Sequence, residues 1–170
     1  REPFWLPVLF AMPLALIQFV HTTLKESRKL IPELCGGVAL GAIAPCVLIA
    51  GGWGVRPALF VWVILAVRTV TAVIYIRNKL RAARGVDFSK AQVLWVHLAG
   101  MVLLGSLAFY SEIPWLTAIG FLCLCFHVLW GISQKEHAVK PRDIGIEEML
   151  WGILNSFFIV AGYWLRRGAL

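Results

Sequence analysis

The sequence predicts an all-α, polytopic transmembrane helix bundle, and three observations carry that prediction. The 170-residue chain is 60% hydrophobic and 15% charged, with a mean hydropathy of +0.81, which is too apolar for an ordinary soluble domain. Its charged residues fall between six apolar blocks, and Arg68 alone lies inside one. The blocks are continuous rather than alternating, so they are not strands of a membrane barrel. In lipid a continuous apolar run must satisfy its own backbone, and only a helix does so.

Crossing about 30 Å of hydrocarbon takes roughly 20 helical residues, and each block falls near that length. The predicted spans are 4–20, 34–55, 57–76, 91–110, 115–132 and 149–165, making one transmembrane domain over 1–170. Chain disorder, a disulfide-stapled secreted fold and nucleic-acid binding are excluded by the same pattern, despite a net charge of +7. Excess Lys and Arg in such a protein instead marks cytoplasmic loops and contact with anionic lipid headgroups. Cys35, Cys46, Cys123 and Cys125 all sit in apolar blocks, where cysteine behaves as a small hydrophobe. The chain begins Arg1-Glu2-Pro3 without an initiator Met or a signal peptide, so it is expected to be the later part of a longer chain.

Orientation follows from the basic residues. Eleven lie on one side: Lys25, Arg28 and Lys29; Arg77, Lys79, Arg81, Arg84 and Lys90; Lys135, Lys140 and Arg142. Four lie on the other: Arg1, Arg56, Arg166 and Arg167. By the positive-inside rule the first side is cytoplasmic, so both ends of this chain are expected outside a bacterial inner membrane. Trp5, Trp53, Trp115 and Trp164 fall near the outer ends, where an interfacial aromatic belt belongs.

Depth can be read at about 1.5 Å per residue from each inner end. Arg68 then lies roughly 12 Å deep, and His97 and His127 roughly 8 to 9 Å deep. Asn155 also falls in the inner half, and Glu33 marks the inner rim of the second span. Polar groups at depth are costly and normally face the bundle interior. The expectation is a polar cavity open to the cytoplasm. Each member also has a plainer role: Arg68 as a helix-locking partner of Glu33 or of carbonyls, the histidines and Asn155 as interhelical hydrogen-bond donors.

Arg77, Arg81 and Arg84 follow at i, i+4 and i+7, lining one helix face just below the membrane, with Gly85 as the helix stop. Such a stripe can hold phosphate or anionic lipid, or simply anchor topology. No cofactor and no metal site are predicted. The one arrangement that would suit a cofactor is axial ligation of haem by His97 and His127 on consecutive helices. The expected partners are the bilayer and its anionic lipids, with no nucleic acid; protein partners are not specified by the sequence.

Three stretches resemble the YwiC-like family of bacterial integral membrane proteins. They are Leu6-Pro7 to Leu14 with the Glu33-Leu34…Ala44-Pro45…Gly51-Gly52 span, the Arg68…Tyr75…Arg77…Arg81…Arg84-Gly85 segment, and Lys140-Pro141-Arg142-Asp143-Ile144-Gly145-Ile146-Glu147 running to Gly162-Tyr163. The resemblance implies about three further helices upstream, hence about nine in all, by analogy alone. It implies no particular activity. Nine helices invite comparison with UbiA-type prenyltransferases, whose Mg²⁺ is held by two Asp-rich motifs. Here Asp87 and Asp143 are the only aspartates, and no Asp-x-x-x-Asp exists. Enzymatic activity is therefore left undecided. The function expected first is a multi-pass protein with a basic inner cavity for an anionic or phosphorylated, lipid-like ligand. The alternatives are a small-solute or ion transporter, which spans broken near Pro13 or Pro45 would favour, and a non-catalytic assembly partner.

Overall fold

The computed structural model describes residues 3–86, 89–133 and 141–168, with side chains to Arg166. Of the charges tallied above, Arg1, Asp87, Lys135 and Lys140 lie outside the described residues, as does the side chain of Arg167. Among the described residues the regular structure is helical: α1 (Leu6–Thr23), α2 (Leu30–Gly41), α3 (Ile43–Ala50), α4 (Val55–Ala82), α5 (Lys90–Phe109), α6 (Trp115–Ser133) and α7 (Pro141–Gly168). Taken together, α2 and α3 make one apolar stretch of 21 residues. With the other five helices it gives six elements long and apolar enough to cross a membrane.

Four of the six spans have bounds that differ by more than one residue from those read off hydropathy. The first helix is shifted to Leu6–Thr23. The second span starts at Leu30 and ends at Ala50, not Val55, because Gly52 takes a left-handed φ of +88° and closes the helix. At its far end α4 continues to Ala82, and α7 begins at Pro141 rather than Met149. The apolar blocks mark only the lipid-facing length of these helices. Their charged first or last turns are helical too, so Arg77, Lys79, Arg81, Glu147 and Glu148 stand on spanning helices.

Pro45 has no N–H to offer the Gly41 carbonyl, and its ring crowds that turn. The helix breaks there: Ala42 separates α2 from α3, and the next backbone bond, from Cys46 N–H to the Ala42 carbonyl, is long at 3.4 Å. Pro13, by contrast, is absorbed within an unbroken α1.

Four helix ends share one device. After α4, Gly85 N–H reaches the Ala82 carbonyl (2.8 Å) and Val86 N–H the Arg81 carbonyl (3.0 Å), with Gly85 at φ +69°. This is the paired 5→2 and 6→1 closure of a Schellman motif, and it confirms Gly85 as the stop. The same pair of bonds forms around Gly52, Lys25 and Ser111. Lys25 (φ +58°) and Ser111 (φ +60°) hold the left-handed position without being glycine. At the other kind of terminus, the Ser89 hydroxyl caps α5 by accepting from Gln92 N–H (3.1 Å).

The chain forms two compact units, Arg1–Val73 and Ile74–Leu170. In the first, α2 presents glycines to its neighbours: Gly36 lies against Gln18 of α1, Gly37 against Thr69 and Gly41 against Trp62 of α4. Lipid supplies no hydrophobic drive between helices, so close approach through a Gly37-x-x-x-Gly41 face is how they gain contact. The Trp62 indole N–H donates to the Val38 carbonyl at 2.8 Å and fixes the register. Trp5, near the start of α1, is exposed, as an interfacial ring should be.

The second unit packs α5, α6, α7 and the last turns of α4. Helix α5 packs on α6; Val93, Leu104 and Ala108 are buried on α5, and Thr117, Ala118, Phe121, Leu124 and Val128 are buried on α6. On α7 the inward face runs Ile144, Glu148, Asn155, Ile159 and Gly162, all buried, at the three- and four-residue steps of a helix stripe. Gly120 seats against Phe158 so closely that a Cβ would fall 2.6 Å from the Phe158 Cβ.

Candidate functional site

Within the second unit, the polar residues gather at the end of the helices that carries the basic loops. Tyr75 and Lys79 are one turn apart on α4, His97 is in the second turn of α5, His127 is on α6, and Glu147, Glu148 and Trp151 are on α7.

The contacts are specific. Lys79 Nζ donates to Glu147 Oε2 at 2.7 Å, and the other oxygen of that carboxylate, Oε1, lies 3.7 Å from His127 Nε2. Glu148 Oε1 is 3.4 Å from the same nitrogen. Lys79 and Glu147 keep part of their side chains exposed, whereas His127 and Glu148 side chains are only 6% and 8% exposed. The Lys79 ammonium lies 5.3 Å from the centre of the Tyr75 ring, a cation–π contact. Burying a carboxylate is tolerable only beside compensating charge, and here Lys79 and His127 flank the pair.

Aromatic contacts hold the imidazoles. The His127 ring stacks on Trp151, with centroids 4.4 Å apart and planes 24° apart. Tyr75 stands edge-on to both His97 (6.4 Å) and His127 (5.9 Å). His97 also stacks on Phe121 and donates from Nδ1 to the Val93 carbonyl at 2.8 Å, which fixes its proton on Nδ1 when the ring is neutral. Gly131, one turn beyond His127, gives the Tyr75 hydroxyl its place against α6.

The structure thus brings His97 and His127 edge-on to one tyrosine, Tyr75. Asn155 is buried two turns along α7 from Glu148. Arg77 is half-buried on α4, while Arg81 and Arg84 are exposed at the helix end. Arg68 and Glu33 belong to the first unit, Arg68 half-buried and Glu33 exposed. Sequence reasoning missed Lys79, Glu148 and Trp151 as site members, and quoted Tyr75 and Glu147 only as parts of the family-like motifs. The periodic stripe on α7 was the available signal: Glu148 is in step with Ile144 and Asn155.

Two clefts are described elsewhere. One of about 320 Å³ lies between the start of α6 and the end of α7, where Arg166 Nη2 donates to the Ser111 carbonyl at 2.6 Å. One of about 610 Å³ lies at the start of α4 around Arg56, Pro57 and Phe60. Both are at helix ends opposite to the basic loops. Among the described residues no group of three or more His, Cys, Asp or Glu is arranged to hold a metal ion. At the rim of the first unit, Lys29, 2.6 Å from Glu26, holds that carboxyl below the usual carboxylate range, helped by His21.

No family model, curated protein or solved structure matches the chain.

Proposed function

We propose that the chain is a multi-pass protein of the bacterial inner membrane whose basic end faces the cytoplasm and takes an anionic or phosphorylated, lipid-like ligand. The observation that carries this reading is the division of labour at the end of α4. Lys79 is taken up by Glu147, while Arg81 and Arg84 stand exposed at the helix end with no ion pair among the described residues. Two guanidiniums one turn apart, at the level of the headgroups, match the fork geometry of a phosphate. Each is worth about 1 kcal/mol against an anionic surface. The same residues lie in the segment that resembles the YwiC-like proteins, and we place the chain with that family on this ground.

The test is lipid retention by the purified full chain in nanodiscs of phosphatidylglycerol or phosphatidylcholine, read by native mass spectrometry. Preferential retention of phosphatidylglycerol that weakens with added salt supports the reading. Equal retention of both lipids overturns it.

The interrupted second span favours a second reading, transport of a small solute or ion. A helix broken at mid-span leaves backbone carbonyls without helical partners, and transporters use such breaks to line a path. Ala42 falls well inside Leu30–Ala50. Uptake into proteoliposomes that is lost in Pro45→Ala would favour transport over lipid binding.

A further inference from the structure

We propose that the cleft between the start of α6 and the end of α7 is a second lipid site, which seats one anionic phospholipid with its phosphate on Arg166. It lies at the helix ends opposite to the basic loops and uses none of the residues that carry the reading above.

The cation is held in place. Arg166 is exposed near the end of α7, and its Nη2 donates to the Ser111 carbonyl at 2.6 Å. That carbonyl belongs to the turn between α5 and α6. The turn is shaped by Ser111 at φ +60° and by backbone bonds from Ser111 N–H to the Ala108 carbonyl and from Glu112 N–H to the Leu107 carbonyl. The guanidinium is thus tied from one helix to the neighbouring turn, beside the cleft that both line. One of its five N–H donors is spent on the carbonyl, and Arg166 forms no ion pair among the described residues, so the fork keeps donors for a ligand. A fork positioned in advance loses little freedom when it takes a phosphate bidentately.

The cleft suits the rest of the lipid. It has a volume of about 320 Å³ and apolar walls from Ile113, Pro114, Trp115, Leu116 and Leu165. At Gly162 helix α7 lies directly against the start of α6, since a Cβ there would be 3.0 Å from the Pro114 Cβ and 3.3 Å from the Leu116 Cβ. Trp115 and Trp164 are exposed at this level, as rings at a membrane interface are. The charge therefore stands at headgroup height, with apolar surface beside it for the glycerol and the first carbons of an acyl chain.

Charge selects among headgroups. Among the described residues Arg166 is the one charged group of the lining, and Glu112, next to Ser111 in the turn, is not part of it. A zwitterionic headgroup brings a cation that no carboxylate of the lining answers. Phosphatidylglycerol brings the phosphate without that cation.

The experiment is photolabelling of the full chain in phosphatidylcholine nanodiscs that carry a small fraction of phosphatidylglycerol with a diazirine at the start of one acyl chain. Adducts are mapped by mass spectrometry. We expect them to concentrate on residues 113–116 and 162–166 and to fall about fivefold in Arg166→Gln, an exposed change that leaves the core intact. The same diazirine on phosphatidylcholine should label these residues about fivefold less. Arg81→Ser/Arg84→Ser should label like the unaltered protein, which separates this site from the basic end. Labelling spread evenly along the lipid-facing helices, labelling unchanged in Arg166→Gln, equal labelling by the two probes, or loss of labelling in Arg81→Ser/Arg84→Ser overturns the proposal.

Discussion

Glu147 spans the gap between Lys79 and His127, holding the ammonium at 2.7 Å with one carboxylate oxygen and presenting the other at 3.7 Å to the imidazole. It joins α4 to α7 by charge, at a level where each helix has left its apolar block. Removing one partner leaves the other's charge half-buried and unanswered. Lys79→Met and Glu147→Gln should each destabilise, and the double variant should recover part of the loss. A double-mutant cycle on thermal unfolding should give a coupling of about 1 to 2 kcal/mol; strict additivity would show that the contact carries no energy.

Close helix contact in the second unit depends on Gly120. Its missing Cβ would lie 2.6 Å from the Cβ of Phe158, an atom fixed by its own backbone, so the neighbour cannot rotate away. Gly120→Ala should cost about 1 to 3 kcal/mol. Gly105 on α5 is the control, because nothing lies within 4 Å of its missing Cβ. Gly105→Ala should stabilise by about 0.5 to 1 kcal/mol through helix propensity. The pair of melting temperatures checks both signs.

Two Schellman closures work against backbone preference. Lys25 and Ser111 sit at φ +58° and +60°, where a Cβ is crowded. Lys25→Gly and Ser111→Gly should each raise stability by up to about 1 kcal/mol, offset in part by the greater freedom of glycine in the unfolded chain. Neither change removes a described hydrogen bond of the motif, since those bonds are made by backbone N–H groups and carbonyls. Thermal unfolding followed by circular dichroism measures the shift; a fall for both would contradict the motif as the determinant of these ends.

The break between α2 and α3 should be traceable to one residue. Pro45→Ala restores an N–H to the Gly41 carbonyl, so the two helices should fuse into one over Leu30–Ala50. Amide hydrogen exchange at Cys46, whose bond to the Ala42 carbonyl is 3.4 Å, and at its neighbours should slow at least severalfold. Unchanged exchange would place the cause of the break in packing around Ala42 instead.

Much of this architecture is legible in the sequence, because lipid makes helix the only outcome for a long apolar run and so removes the ambiguity of short hydrophobic segments. Gly85 as a stop and His97 with His127 as a matched pair were readable from spacing. The cluster was not, and for a physical reason. Counting charges as loop residues placed Lys79, Glu147 and Glu148 outside the membrane spans, yet α4 and α7 carry those charges as continuations of spanning helices, and Glu148 turns inward with the apolar stripe. Hydropathy finds where a helix meets lipid; it does not find where the helix ends. Arg68, the one charge within an apolar block, drew attention by its isolation, but the described contacts of the cluster come from residues 75–151.

The central claim is that the exposed guanidiniums at the end of α4 recognise an anionic headgroup, and the most direct measurement is phosphatidylglycerol retention by the full chain against Arg81→Ser/Arg84→Ser. Loss of two such cations should weaken binding by about 2 kcal/mol, roughly thirtyfold, with helix content unchanged. Retention of phosphatidylglycerol by the double variant at the level of the unaltered protein would contradict the claim.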